Sequence, residues 1–164
     1  MVDMAEHTQR VSKAMPNQVL QGLRILVVED VDAIRSLVVR LVESLGAEEV
    51  FAAMGVETAL SELEACQFDA VLLDYELGGR DGLEILNALR QDPSHINHSV
   101  PVILLTGHAE SHVVKDSVMA GANGYLVKPV MPEVLGKRIQ QVVAAHEEKM
   151  EKGPQTEVVW RRST

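Results

Sequence analysis

Short runs of apolar residues alternate along the chain with longer segments in which apolar residues recur every three or four positions. The short runs are RILVV (24–28), EVFAA (49–53), AVLLD (70–74), PVILLT (101–106) and GYLV (124–127). Runs of this length, with little alternation between apolar and polar residues, are typical of strands buried on both faces. The pattern therefore predicts five strands in a sheet that is covered on both sides.

The segments between these runs have the apolar spacing of amphipathic helices. The apolar positions of the first and last such segments are Ile34, Leu37, Val38, Leu41 and Leu45, and Leu135, Ile139, Val142 and Val143. Gly46 is placed to end the first helix. A regular alternation of strand and helix produces parallel strands joined by right-handed crossovers. The sequence therefore predicts an α/β fold built on a doubly wound five-stranded parallel sheet.

The two ends of the chain lack this patterning. Residues 1–21 and 148–164 are polar and charged without sustained periodicity. We expect a flexible N-terminal extension over 1–21, a folded domain over 22–147 and a flexible C-terminal tail over 148–164. A chain of 164 residues has room for one such domain with a substantial core.

The net charge limits the partners that the chain can bind, and the cysteine content indicates its cellular location. The formal net charge of −9 disfavours DNA binding and association with an anionic membrane, because both require a basic surface. The single cysteine, Cys66, cannot form an intramolecular disulfide, and no N-terminal apolar stretch resembles a signal peptide or a membrane span. We expect a cytoplasmic protein without membrane insertion.

Polar residues follow the carboxyl ends of four of the five predicted strands, at the edge where open α/β sheets bind ligands. They are Glu29 and Asp30 after the first strand, Asp74 at the third, Thr106 at the fourth and Lys128 after the fifth. Each alone has a structural explanation, as a helix cap, a turn residue, a strand-end hydroxyl or a surface charge. Their convergence on one edge favours a functional site.

The chemistry of this set points to a metal and to phosphoryl transfer. Three clustered carboxylates repel one another unless a cation neutralises them, and oxygen ligands favour Mg²⁺, or Mn²⁺ in its place. A carboxylate can attack a phosphoryl group to form an acyl phosphate. Asp74 would be both metal ligand and nucleophile, with Glu29, Asp30 and a backbone carbonyl just after Asp74, assigned to Glu76, as further ligands. The phosphoryl oxygens would be bound by Thr106 and Lys128.

Four segments resemble the receiver domain of two-component response regulators in its single-domain, CheY-like form. They are ILVVEDVDAIR, VLLDYELGGRDGLEIL, VPVILLTGH and AGANGYLVKP, within residues 23–145. The resemblance implies a flavodoxin-like (CheY-like) fold with strand order 2-1-3-4-5. It also implies phosphorylation of Asp74 by a histidine kinase or a histidine phosphotransfer protein. Contacts with a downstream effector would then depend on phosphorylation.

The resemblance assigns roles to further residues. Thr106 and Tyr125 would form the conformational switch, Glu76 and His108 would tune the lifetime of the phosphoryl group, and the bond preceding Pro129 would be cis. Two positions depart from the family, in which a Met-Pro pair often stands three and four residues after the phosphorylated aspartate. Here that pair is Leu77-Gly78, and we expect a looser loop.

The resemblance implies a signalling protein and not an enzyme, since Mg²⁺-dependent phosphorylation and dephosphorylation of itself would be its only chemistry. With no helix-turn-helix or catalytic segment after residue 150, we expect a stand-alone receiver that does not bind DNA. Two alternatives remain open. A haloacid dehalogenase-type phosphohydrolase would need an aspartate where Glu76 stands. A nucleotide- or flavin-binding module would need glycines that the turn VEDVDA lacks.

Overall fold

The computed structural model describes residues 18–107 and 110–153. The strands are β1 Arg24–Val28, β2 Glu49–Ala53, β3 Ala70–Asp74, β4 Glu76–Leu77, β5 Arg80–Asp81, β6 Val102–Thr106 and β7 Gly124–Val127. The helices are α1 Asp32–Ser44, α2 Val56–Ala65, α3 Leu83–Gln91, α4 Ser111–Met119 and α5 Pro132–Lys152.

Five strands form one parallel sheet in the order β2-β1-β3-β6-β7, which is 2-1-3-4-5 when the five are counted along the chain. The predicted doubly wound, CheY-like fold is therefore confirmed. The short strands β4 and β5 pair with each other in a separate antiparallel hairpin, which the sequence pattern did not predict.

The core lies in two layers, one on each face of the sheet. Alternate residues of β1 divide between them: Leu26 and Val28 pack with α2 and α3, and Ile25 and Val27 pack with α1 and α5. Every residue of β3 and β6 is buried. Burial on both faces explains why these strands read as continuous apolar runs.

The folded unit extends beyond the predicted range 22–147 at both ends. Leu20 is fully buried against α1 and α5, and Gln21 forms a β-bridge with Ala47. At the other end α5 continues to Lys152, so residues 148–152 are helical and not a flexible tail. The rest of the two predicted extensions lies outside the described residues.

Helix α1 begins and ends close to the predicted positions, but two apolar residues expected in its buried face are exposed. Val38, Leu45 and the fully buried Val42 contact the core, whereas the Leu37 side chain is 65% exposed and Ile34 is also exposed. The apolar stripe of α1 is wider than the surface that packs on the sheet. Among the described residues, no helix is long and apolar enough to cross a membrane.

A buried asparagine in the loop after α3 holds the end of α2 and the segment that leads into β3. Asn97, 1% exposed, donates from Nδ2 to the carbonyls of Leu63 and Cys66, both at 2.7 Å, and accepts the Phe68 N–H at 2.9 Å. Asn97→Ala would leave three buried backbone groups without their partner. We expect the free energy of unfolding to fall by about 3 kcal/mol, as measured by urea denaturation.

The control for this prediction is Asn87→Ala, which makes the same substitution at an exposed position of α3. We expect it to change the free energy of unfolding by less than about 0.5 kcal/mol. Equal effects of the two substitutions would contradict the structural role given to Asn97.

Candidate functional site

Three carboxylates meet where β1 and β3 end. Glu29 and Asp30 directly follow β1, Asp74 is the last residue of β3, and one oxygen from each lies within 4.8 Å of the others. Glu29 and Asp74 are buried, and Asp30 is half-buried at the mouth of the site. Parallel strands place their carboxyl ends at one edge, so the fold itself brings these residues together.

Lys128 reaches this cluster from the end of β7. Its Nζ donates to Asp74 Oδ2 at 2.8 Å and to Glu29 Oε2 at 3.2 Å. Burial opposes the charged form of Lys128, but the two carboxylates outweigh burial and raise its pKa. The bond between Lys128 and Pro129 is cis. Thr106 is buried at the end of β6, and its carbonyl accepts the Lys128 backbone N–H at 2.7 Å.

The single ammonium group of Lys128 does not neutralise the three carboxylates. Burial, followed by the neighbouring Asp74, raises the pKa of Glu29 to about 7, and Lys128 only partly opposes this. Among the described residues none donates a hydrogen bond to the buried Glu29 Oε1. A buried oxygen without a partner, in a set made only of carboxylates, suits a small divalent cation such as Mg²⁺. Glu29, Asp30 and Asp74 would hold it.

The chain after Asp74 makes the hairpin β4–β5, and the looser loop expected from Leu77-Gly78 stays a prediction. Leu77 is buried and pairs with Arg80. Gly78 and Gly79 turn the hairpin with φ of +58° and +85°, values that other residues rarely adopt. The Gly78 N–H donates to Asp30 Oδ2 at 3.0 Å. The hairpin thereby orients one carboxylate of the cluster.

Sequence reasoning missed Arg35 in α1. Its guanidinium donates to the carbonyl of Glu29 at 2.9 Å and to that of Asp30 at 3.5 Å, and it pairs with Asp32. These bonds fix the turn that carries the two acidic residues. The only signal in the sequence is an arginine three residues after Asp32, which is also a common surface pair on a helix.

Of the other predicted site residues, the structure describes Glu76 and Tyr125, and neither side chain is bonded to the cluster among the described residues. Glu76 is exposed, and its N–H donates to Asp74 Oδ1 at 3.2 Å. Tyr125 is 37% exposed in β7, beside Leu104 of β6. His108 lies outside the described residues. The metal-binding carbonyl of Glu76, the switch role of Tyr125 and the lifetime roles of Glu76 and His108 stay predictions.

The site opens to solvent through a cavity of about 320 Å³. Its lining includes the three carboxylates, Thr106 and Lys128, together with Gly78 and Gly79 of the hairpin. A small anion entering this cavity would meet a carboxylate oxygen, an ammonium and a hydroxyl.

Comparison with known proteins agrees with this geometry. Residues 25–140 match the family model described as the response regulator receiver domain. The chain is 32% identical to the chemotaxis protein CheY of Pseudomonas aeruginosa over 120 residues, which cover 73% of this chain and 95% of that protein. It is 34% identical, over 123 residues, to part of the cyclic di-GMP phosphodiesterase response regulator RpfG of Xanthomonas campestris, covering 74% of this chain and 32% of that protein.

Solved structures give the same result. A CheY-like receiver domain protein from Methanospirillum hungatei is 29% identical, with a TM-score of 0.69 over 77% of this chain and 97% of that one. The chemotaxis protein CheY4 of Vibrio cholerae is 30% identical, with a TM-score of 0.67 over 73% of this chain and 98% of that one. With its sheet order and its cluster of acidic residues, the chain belongs to the response regulator receiver domain family.

Proposed function

We propose that the chain accepts a phosphoryl group on Asp74 and changes its protein contacts as a result. The observation that carries this proposal is the contact of Asp74 with Lys128 beside Glu29 and Asp30, in a cavity open to solvent. The donor would be a phosphohistidine on a histidine kinase or on a histidine phosphotransfer protein. Asp74 Oδ attacks phosphorus, a new O–P bond forms, the N–P bond breaks, and the histidine ring, protonated on its other nitrogen, leaves as neutral imidazole.

The neighbouring side chains would stabilise the charge on the transferred oxygens. Lys128, already 2.8 Å from Asp74 Oδ2, is placed to exchange that contact for a phosphoryl oxygen. The Thr106 hydroxyl would bind a second oxygen by moving inward with its loop, and Tyr125 would follow it. Mg²⁺, or Mn²⁺, when bound, supplies further positive charge to the same oxygens.

Signalling would proceed through protein contacts. Because the match to the chemotaxis protein CheY covers 95% of that protein, we propose a single-domain mode of action in which a separate effector distinguishes the two phosphorylation states. The chain would act on itself and not turn over a separate substrate, as a haloacid dehalogenase-type phosphohydrolase would. The cytoplasmic location expected from its single cysteine is part of the same proposal.

An apolar groove beside the site suits the donor protein. Its volume is about 410 Å³, and its lining includes Leu37 and Leu41 of α1 and Val130 after β7. Ile34 and Lys128 line both this groove and the cavity over Asp74. A protein that docks an apolar surface in the groove would therefore bring its histidine towards the aspartate.

Leu37→Asp tests this surface, because Leu37 is exposed and does not line the cavity over Asp74. We expect phosphoryl transfer from phosphorylated histidine phosphotransfer proteins to slow by about tenfold or more. Transfer from acetyl phosphate should be unchanged, since a small donor needs no docking surface. Val118→Asp on α4, equally exposed, is the control. Equal slowing with both donors would show that the substitution damages the site and not docking.

The proposed function is tested by incubating the full chain with acetyl phosphate and Mg²⁺ and separating the products on a phosphate-affinity gel. We expect a retarded band that is stable to acid, labile to base and absent when EDTA is added. Steady release of phosphate from added phosphomonoesters, without a retarded band, would favour a phosphohydrolase instead.

A further inference from the structure

The side chain of Arg80 joins the hairpin to two helices. Arg80 lies in β5, and its guanidinium forms a two-point contact with Glu84 in the first turn of α3, including Nε to Oε2 at 3.1 Å. The remaining amino group, Nη1, donates to Glu57 in the first turn of α2. The hairpin is thus tied to both helices by one residue, and a guanidinium is the side chain that matches carboxylates at two points.

The hairpin has few other restraints. Each of its strands is two residues long, and its turn consists of Gly78 and Gly79, the residue type that loses the most conformational freedom on ordering. Leu77 is its only buried residue in β4 and β5. We therefore expect a restraint from outside the hairpin to set how often the hairpin is closed against the carboxylates.

The closed hairpin presents two backbone amides to the carboxylates. Gly78 N–H donates to Asp30 Oδ2 at 3.0 Å, and Glu76 N–H donates to Asp74 Oδ1 at 3.2 Å. Two of the three carboxylates that would hold a cation are oriented in this way. Opening the hairpin would release both and would enlarge the range of positions that their oxygens can take.

We propose that Arg80 is a positioning residue for the metal site. Its bonds to Glu84 and Glu57 keep the hairpin 76–81 closed. Divalent cation affinity and phosphoryl acceptance would then depend on a residue that contacts neither the cation nor the phosphoryl group. This inference rests on the proposed function. Because the Arg80 side chain is 44% exposed, salt should weaken the effect.

The first readout needs no metal and no phosphoryl donor. Backbone amide hydrogen exchange at Glu76 and Gly78, whose N–H groups are bonded to carboxylates in the closed hairpin, is compared between wild type, Arg80→Ala and Arg80→Lys in metal-free protein at low salt. We expect exchange to be about fivefold faster in Arg80→Ala, the scale of the loss of one or two exposed ion pairs, with Arg80→Lys in between because lysine cannot form the two-point contact. The difference should shrink at high salt.

The second readout is Mg²⁺ affinity measured by titration calorimetry on the same proteins. We expect Arg80→Ala to bind Mg²⁺ about fivefold more weakly, with a nearly unchanged free energy of unfolding. Arg24→Ala is the matched control, since Arg24 is a similarly exposed arginine that pairs with Glu49 at 3.3 Å, where β1 and β2 begin. It should change neither hairpin exchange nor Mg²⁺ affinity. Glu84→Gln, which keeps the size of the side chain, should reproduce part of the Arg80→Ala effect.

The outcomes separate the two proposals. If wild type binds Mg²⁺ and is phosphorylated, but Arg80→Ala matches it in exchange and affinity, the positioning role is overturned and the proposed function stands. If wild type neither binds Mg²⁺ nor accepts a phosphoryl group, the proposed function is overturned together with the metal role of Arg80. A loss in Arg80→Ala that Arg24→Ala shares would also overturn the positioning role, because any exposed ion pair would then have the same effect.

Discussion

Asp74→Asn is expected to abolish phosphoryl acceptance from acetyl phosphate and from phosphorylated histidine proteins alike. An amide oxygen is a far weaker nucleophile than a carboxylate, and the amide also removes one negative charge from the cation site. Because asparagine has nearly the size and shape of aspartate, the amide can occupy the same buried space beside Lys128. The measurement is the retarded band on a phosphate-affinity gel, together with Mg²⁺ affinity, which should fall by about tenfold or more.

Asp81→Asn is the control for this substitution. Asp81 is an exposed carboxylate of the same hairpin, and it accepts the Leu83 N–H at 2.8 Å instead of facing the cluster. We expect Asp81→Asn to be phosphorylated like wild type. A phosphorylated Asp74→Asn protein, or an unphosphorylated Asp81→Asn protein, would contradict the assignment of the nucleophile.

Gly82→Ala is expected to damage both the fold and the site. A Cβ at position 82 would lie 2.1 Å from the backbone oxygen of Asp74 and 3.2 Å from that of Tyr75. Because the obstacle is backbone, either the end of β3 or the start of α3 must move. We expect the free energy of unfolding to fall by about 2–3 kcal/mol and phosphoryl acceptance to slow by about 100-fold, since the nucleophile is displaced.

Gly55→Ala separates this steric effect from the general cost of replacing glycine. Gly55 and Gly82 both precede a helix, as the N-caps of α2 and α3, but a Cβ at Gly55 would meet no atom within 4 Å among the described residues. We expect Gly55→Ala to cost no more than about 1 kcal/mol and to leave phosphorylation unchanged. Equal effects of the two substitutions would contradict the close approach of Gly82 to Asp74.

The strands could be predicted from the sequence almost to the residue, and the reason is burial. A strand covered on both faces needs a continuous apolar run, and the polar residues at its end mark where the sheet meets solvent. The hairpin β4–β5 could not be predicted in this way, because strands of two residues leave no periodicity to detect. The predicted burial of Leu37 was wrong for another reason. The spacing of apolar residues identifies a helix face but does not show how much of that face other elements cover.

The carboxylates, the threonine and the lysine that the structure brings together could also be predicted from the sequence, since each stands at the end of a predicted strand. The residues that hold them in place could not. Arg35 bonds to backbone carbonyls, which leave no pattern in the sequence. Arg80 pairs with Glu57, which is distant along the chain, so their contact requires the fold. Leu20 and Gln21 likewise contact elements far along the chain. Because the residues around them are mostly polar, the sequence pattern did not predict that they belong to the folded domain.

Phosphorylation of Asp74 is tested most directly by locating the phosphoryl group on the protein. Wild-type protein is incubated with acetyl phosphate and Mg²⁺, treated with borohydride to reduce any acyl phosphate to the alcohol, digested and analysed by mass spectrometry. We expect one residue, Asp74, to be converted to homoserine, and we expect EDTA to prevent the conversion. Conversion of a different carboxylate, or none while phosphate is incorporated elsewhere, would contradict this expectation.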